Sequence, residues 1–175
     1  MNWITIIYQI PREMHKNRMA VWRKLKSIAA LNVLQSIWIL PESEAAKSEL
    51  KALEKQISEN GGKSIYCVTV IEDEAQNQKI IDGFNSERKQ DFKEFFDKCD
   101  DFGHEIKRET ERENFTYAEV EENEHEIKKL HIWLNKIIRK DYFDCSFKSE
   151  AAERLKKSED LLSRFSDEVY NRNDE

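Results

Sequence analysis

The run Trp3-Ile4-Thr5-Ile6-Ile7-Tyr8-Gln9-Ile10, closed by Pro11, decides the fold. It is dense in β-branched and aromatic residues, which suit a pleated surface. Proline cannot donate to a sheet ladder and so ends the run. Apolar residues occupy neighbouring positions and not only alternate ones. The spacing therefore predicts a strand buried on both faces.

A helical pattern follows, from about Lys16 to Ala30, with Val21, Trp22, Leu25, Ile28 and Ala29 on one face. Arg12, Lys16 and Arg23 fall on the other side, with Lys24 and Lys26 flanking them. Arg18 lies seven residues before Leu25, on the apolar stripe. Either the helix begins after Arg18, or a carboxylate holds it. Val33-Leu34 and Ser36-Ile37-Trp38-Ile39-Leu40 read as two short strands with a tight reversal between Asn32 and Ser36, and Pro41 ends the second. Ser43 is placed to cap a helix that carries Glu44 in its first turn. Ala46, Leu50, Leu53 and Ile57 give that helix its apolar face, and Asn60-Gly61-Gly62 stops it. Ser64 to Ile71 is the last strand. The order βαββαβ is the signature of an α+β ferredoxin-like sandwich, with two helices on one face of a four-stranded antiparallel sheet. We place this domain at residues 1–72.

Residues 73–175 read as an acidic helical region of about three helices packed on that domain. Phe84, Phe92, Phe95, Cys99 and Phe102 form one stripe, interrupted by Arg88, and Gly103 is expected to weaken or end the helix. Thr116-Tyr117-Ala118-Glu119 is a capping box, with Phe115 and Val120 at the positions of a hydrophobic staple. Val120, Ile127, Leu130, Leu134 and Ile137 continue to Arg139-Lys140, two cations suited to a helix C-terminus. Asp141 to Lys148 reads as a loop. Ser149 is placed to cap a last helix with Ala152, Leu155, Leu162, Phe165 and Val169 on one face, and Asn171 to Glu175 as its frayed end. Each helix offers one apolar stripe, to be covered by another helix, by the open sheet face or by a second chain. A homodimer is one expected way to cover what is left.

Composition narrows the class. Charged residues make up 37%, above the usual share of about 25%, so long solvated helix faces are expected. With 4 Gly and 2 Pro, an all-β fold is disfavoured. No run approaches the roughly 20 apolar residues of a membrane span. Met1 to Pro11 lacks the basic start and cleavage site of a signal peptide. Cys67, Cys99 and Cys145 are odd in number and widely spaced, which fits free thiols and a cytoplasmic location. Residues 1–72 carry 10 Lys+Arg against 7 Asp+Glu, whereas the remainder carries 19 against 28. One face of the N-terminal part is thus free to be basic while the whole chain is acidic.

Trp3 to Pro11, Arg18, Trp22-Arg23-Lys24-Leu25 and Ser36-Ile37-Trp38-Ile39-Leu40-Pro41 resemble the N-terminal domain of the ChrB chromate resistance proteins. The stretch Phe115-Thr116-Tyr117-Ala118-Glu119-Val120-Glu121-Glu122-Asn123-Glu124 resembles the same family, as do Leu130, Trp133 and Arg139-Lys140-Asp141-Tyr142-Phe143. The resemblance implies a role in bacterial chromate resistance, as a chromate-responsive transcriptional regulator of an efflux operon. Longer members continue into a rhodanese-like module that has no counterpart in this sequence. If sensing depends on that module, the resemblance implies binding of DNA or a partner without sensing. The βαββαβ half also looks like a domain shared by small CRISPR-associated nucleases and phenylacetate-pathway repressors, a likeness of topology.

The candidate site is the basic set Arg12, Lys16, Arg18, Arg23 and Lys24, with Lys26 beside it. Guanidinium forks offer paired donors to a DNA phosphate or to an oxyanion such as chromate. The competing expectation is a solvated helix face paired internally with the acidic helices. Arg18 and Arg23 lead the set because they also carry the resemblance. Tyr8 and Trp38 offer stacking surfaces if they face outward, and core packing otherwise.

A metal-dependent nuclease, the first alternative, needs a carboxylate at the end of the first strand; that strand ends in Tyr8-Gln9-Ile10-Pro11, and Glu13 is the nearest acid. Glu122-x-x-His125 and Asp101-x-x-His104 have the spacing of di-iron helix motifs, but they lie among surface-type charges, and His131 is off the face of His125. Cys67 and Cys99 are expected to be buried, and Cys145 to be the exposed thiol. No phosphate loop or nucleophile elbow is present. The expectation is a non-enzymatic regulatory or binding protein without cofactor or metal, with operator DNA or chromate as partner. A non-catalytic protein-interaction scaffold is the second alternative.

Overall fold

The structure, a computed structural model, describes residues 1–173. Among the described residues the chain is α+β and mostly helical. In order it forms β1 (Asn2–Gln9), α1 (His15–Ser27), β2 (Leu31–Leu34), β3 (Ile37–Pro41), α2 (Glu44–Glu59), β4 (Lys63–Val70), α3 (Glu74–Glu111), α4 (Tyr117–Arg139) and α5 (Lys148–Asn173). It divides into two compact units, residues 1–84 and 85–175, and the division falls inside α3. Among the described residues no helix is long and apolar enough to cross a membrane.

In the first unit the four strands form one antiparallel sheet in the order β2-β3-β1-β4. Residues directly opposite in such a ladder point to the same face. Ile4 and Ile6 of β1 therefore share a face with Leu40 and Trp38 of β3. These four bury against Val21 and Leu25 of α1 and Leu50, Leu53 and Ile57 of α2, so both helices cover one face. The second face is covered only in part. Trp3 stacks on Phe84 with ring centroids 5.8 Å apart, and its Nε1 donates to Asn77 Oδ1 at 2.7 Å. Leu31 lies against Gly83, where an added Cβ would come within 2.9 Å of Leu31 Cδ2.

This half-cover corrects the reading of β1. Trp3 to Ile6 are buried on both faces, but Ile7 is 40% exposed. Trp22 is a second correction: it stands 43% exposed on α1. The helix meets the sheet through Val21 and Leu25, and Trp22, one step of about 100° further round, misses it. α1 also stops earlier than its pattern suggests. Ala29 takes φ 55, Ala30 N–H donates to Leu25 O at 2.9 Å, and Ala29 N–H donates to Lys26 O at 3.1 Å. That is a Schellman closure built on alanine. α2 closes the same way on glycine. Gly61 has φ 70, Gly62 N–H donates to Ile57 O at 2.9 Å, and Gly61 N–H donates to Ser58 O at 3.0 Å. At the start of α2, Ser43 Oγ accepts from Ala46 N–H at 3.0 Å, as its position predicts.

In the helical unit α3 runs through Gly103 without a break. The cost of glycine in a helix, about 1 kcal/mol, is outweighed by burial of Phe102 and Ile106 beside it. Phe92, Phe95, Cys99 and Phe102 share a core with Val120, Ile127, Leu130, Leu134 and Ile137 of α4 and with Leu155, Leu162, Phe165 and Val169 of α5. Thr116 Oγ accepts from Glu119 N–H at 3.3 Å, which is one half of the capping box. The other half is replaced: Glu119 Oε1 accepts from Asn114 Nδ2 at 2.9 Å. Phe115 and Val120 are both buried, as a staple requires. α5 begins at Lys148, so Ser149 lies inside it, and Ala151, not Ala152, is the buried alanine. Asn171 to Asn173 continue α5; the rest of the expected frayed end lies outside the described residues.

Candidate functional site

At the end of β1, Pro11 turns the chain, Arg12 and Glu13 form the turn, and α1 starts at His15. Two other segments converge on this point. Tyr8 N–H donates to Ser36 O at 3.3 Å, which fixes the β2–β3 turn beside the strand end. β4 runs antiparallel to β1, so Ser64 pairs with Tyr8 and Lys63 with Gln9. The result is a cleft of about 900 Å³. Its cations are Arg12, Arg18 and Lys63; its neutral polar groups include Tyr8, Gln9, Gln35, Ser36 and Ser64. Ile7 and Ile65 form an apolar rim. Among the described residues no lining side chain is a carboxylate.

The charge of the cleft is therefore uncompensated within it. Arg18 Nη2 lies 2.9 Å from His15 Nδ1, one turn earlier on α1. The helix begins before Arg18, and the His15 ring, not a carboxylate, lies against its guanidinium. Tyr8 is half-buried, and burial pushes its phenol above the ordinary value, while the nearby Arg18 charge pulls the other way. α1 has no acidic residue in its first turn and no side-chain cap at Met14, so its positive dipole end is not countered by its own residues.

The basic set read from the sequence is split by this geometry. Arg12 and Arg18 come together at the cleft. Arg23 follows Arg18 by five residues, about 140° round the helix, and stands exposed elsewhere on α1. Lys16 is exposed too. Lys24 Nζ is bound to Glu49 Oε2 at 2.5 Å, and Lys26 Nζ sits 5.7 Å from the centroid of Trp38. Trp38 is 3% exposed and belongs to the core. Lys63 is the member that sequence reasoning missed. The signal for it was the adjacency of β1 and β4, which puts the first residue of β4 beside the last of β1.

The other candidates are placed as follows. Glu122, His125, Asp101 and His104 all stand exposed in the helical unit. His131 Nε2 lies 2.6 Å from Glu159 Oε1. Among the described residues no group of three or more His, Cys, Asp or Glu side chains is placed to hold a metal ion. The cysteine expectations are corrected at two of three positions. Cys67 is exposed because its sheet face is open there, and Cys145 is 4% exposed in the helical core. Cys99 is buried, as read, and burial pushes its thiol up to about 11.

A family model described as Protein ChrB, N-terminal, matches residues 18–175. The match includes Arg18 and Lys63 and begins after Tyr8 and Arg12. No curated protein and no solved structure matches the chain.

Proposed function

Because the chain belongs to the ChrB N-terminal family, which is associated with chromate resistance, we propose that it is a non-enzymatic regulatory protein of that response. It holds an oxyanion group, a DNA phosphate or a free oxyanion such as chromate, in the cleft at the end of β1. One observation carries this reading: Arg12, Arg18 and Lys63 line the cleft, and among the described residues no carboxylate lines it with them. Guanidinium forks match the oxygens of a tetrahedral anion in pairs, and Tyr8, Ser36 and Ser64 supply hydroxyl donors beside them. The strand order β2-β3-β1-β4, with α1 and α2 on one face, supports the ferredoxin-like reading of the scaffold. The nuclease alternative would need carboxylates at this strand end, and the lining weighs against it.

The test is binding by the full chain, followed by intrinsic fluorescence for chromate and by electrophoretic shift for operator DNA. Arg18→Ala should weaken binding at least about tenfold, since a charge-assisted hydrogen bond is worth about 1.5–3 kcal/mol. Arg18→Lys should recover only part, because it restores charge without the fork. Equal binding by wild type and Arg18→Ala would remove the cleft from the reading.

A further inference from the structure

The two edges of the sheet are built differently. β2 has four residues and an irregular register between Asn32 and Leu34. The Asn32 amide donates within the hairpin, to the carbonyls of Leu34, Gln35 and Ile37, and closes its turn. Short, bulged edges of this kind resist further pairing. β4 has eight residues, pairs with β1 on one side, and ends the sheet on the other. It contains no proline and no acidic residue, and its one charge is Lys63 at its first position. It is also apolar on both sides: Ile65 is 66% exposed on the open face, and Val68 and Val70 are 50% and 63% exposed on the helix-bearing face. A long edge that is apolar and carries no charge past its first residue is a template for another strand.

We propose that the strand added to β4 is β4 of a second copy, antiparallel, about a two-fold axis at Cys67. The chemistry of the strand selects this occupant. About that axis Tyr66 faces Val68 of the second copy, Ser64 faces Val70, and Ile65 faces Thr69. Every pair is neutral, and an aromatic meets a β-branched residue, which is a favourable cross-strand pair. The ends are complementary in charge. Lys63 opens the strand, and Glu72, Asp73 and Glu74 follow its end. Antiparallel pairing therefore brings the Lys63 end of one β4 to the acidic end of the other. A parallel pairing would set like charges together at both ends. A two-fold contact of this kind closes after two copies, so the product is a dimer with an eight-stranded sheet and not a fibre.

The experiment uses the full chain and one exposed position. Sedimentation equilibrium of wild type should give a dimer of two 20.9 kDa chains. Cys67→Lys and Cys67→Glu each place two like charges face to face on the axis. Each should raise the dimer dissociation constant at least about tenfold while keeping the far-ultraviolet circular dichroism of wild type. Mixing the two variants in equal amounts should restore the dimer, because Lys then faces Glu. Diamide provides a second readout on unmodified protein: it takes two hydrogens from the paired Cys67 thiols, leaving a disulfide-linked dimer that Cys67→Ser does not form. A monomeric wild type overturns the proposal. So does a dimer indifferent to Cys67→Lys, or a charge-swapped mixture that fails to pair. None of these outcomes touches the oxyanion reading, which is tested by ligand binding alone.

Discussion

Lys24 Nζ lies 2.5 Å from Glu49 Oε2, which ties α1 to α2 and spends on the protein itself a cation that the sequence offers to a ligand. The pair is about two-fifths exposed on both sides, so it contributes only about 0–1 kcal/mol to stability. Glu49→Gln frees Lys24 and separates two forms of the basic site. If the ligand sits in the cleft with Arg12 and Arg18, anion affinity stays within about twofold of wild type, because screened charges outside the site act weakly. If the ligand covers the whole basic face of α1, the freed lysine strengthens binding and steepens its salt dependence by about 0.9 in the log–log slope for each added phosphate contact. We expect the first outcome, read by titration at several salt concentrations.

A second ion pair is buried. Arg88 is 5% exposed in the middle of α3, and its Nη1 lies 2.6 Å from Asp91 Oδ2, with Glu87 Oε2 at 3.8 Å from Nη2. Burial pushes the Asp91 carboxyl above its ordinary value of 3.8, and the Arg88 charge only partly offsets this. Removing the partner is costly, because it strands a buried guanidinium. Asp91→Ala should destabilise by about 3 kcal/mol, the low end of the usual range, since Glu87 remains nearby. Replacing the pair together, Arg88→Met with Asp91→Leu, should be near neutral or stabilising. The pH dependence follows from the raised value. The folded state holds the Asp91 proton to higher pH than the unfolded state does. Stability relative to Asp91→Asn therefore falls as pH rises from 3.8 upward, and levels off above the folded value. Urea unfolding of the three variants at several pH values checks both.

What the sequence revealed is what local chemistry decides. Pro11 and Pro41 end β1 and β3, Ser43 caps α2, Thr116 caps α4, and the apolar stripe of α4 is buried residue for residue. What it hid depends on partners far along the chain. Trp22 and Val21 are equally apolar, and only the angle at which α1 meets the sheet tells them apart. Cys67 alternates with apolar residues as a buried strand residue does, yet β4 is an edge and α3 covers only part of that face. Two of the three cations that line the cleft were legible, since Arg12 and Arg18 are local to the β1–α1 turn. Lys63 was not, because only the strand order brings it there.

The cysteines make that contrast measurable. Cys99 is buried with its thiol pushed up to about 11, so at pH 8 about one thiol in a thousand carries the thiolate that reacts. Cys145 is 4% exposed. Cys67 is exposed. In dilute native protein a disulfide reagent at pH 8 should therefore modify one thiol quickly, and the other two only after denaturant is added. Cys67→Ser should abolish the fast phase. A fast phase that survives in Cys67→Ser, and disappears in Cys145→Ser, would restore the opposite assignment.

The closures of α1 and α2 give opposite expectations for the same exchange. A left-handed residue with a Cβ costs roughly 1–2 kcal/mol relative to glycine. Gly61, at φ 70, is exposed, so Gly61→Ala brings that strain with little burial in return and should destabilise by about 1 kcal/mol. Ala29 already carries the strain at φ 55, but its methyl is buried, with the residue 2% exposed. Ala29→Gly would relieve about 1 kcal/mol of strain while losing about 0.8 kcal/mol of methyl burial and adding freedom to the unfolded chain. The losses slightly exceed the gain, and the expected change is a destabilisation of about 0.5 kcal/mol. Denaturant midpoints for the two variants measure the difference directly. A large loss in Ala29→Gly would mean that the methyl, and not the backbone turn, holds the end of α1 on the sheet.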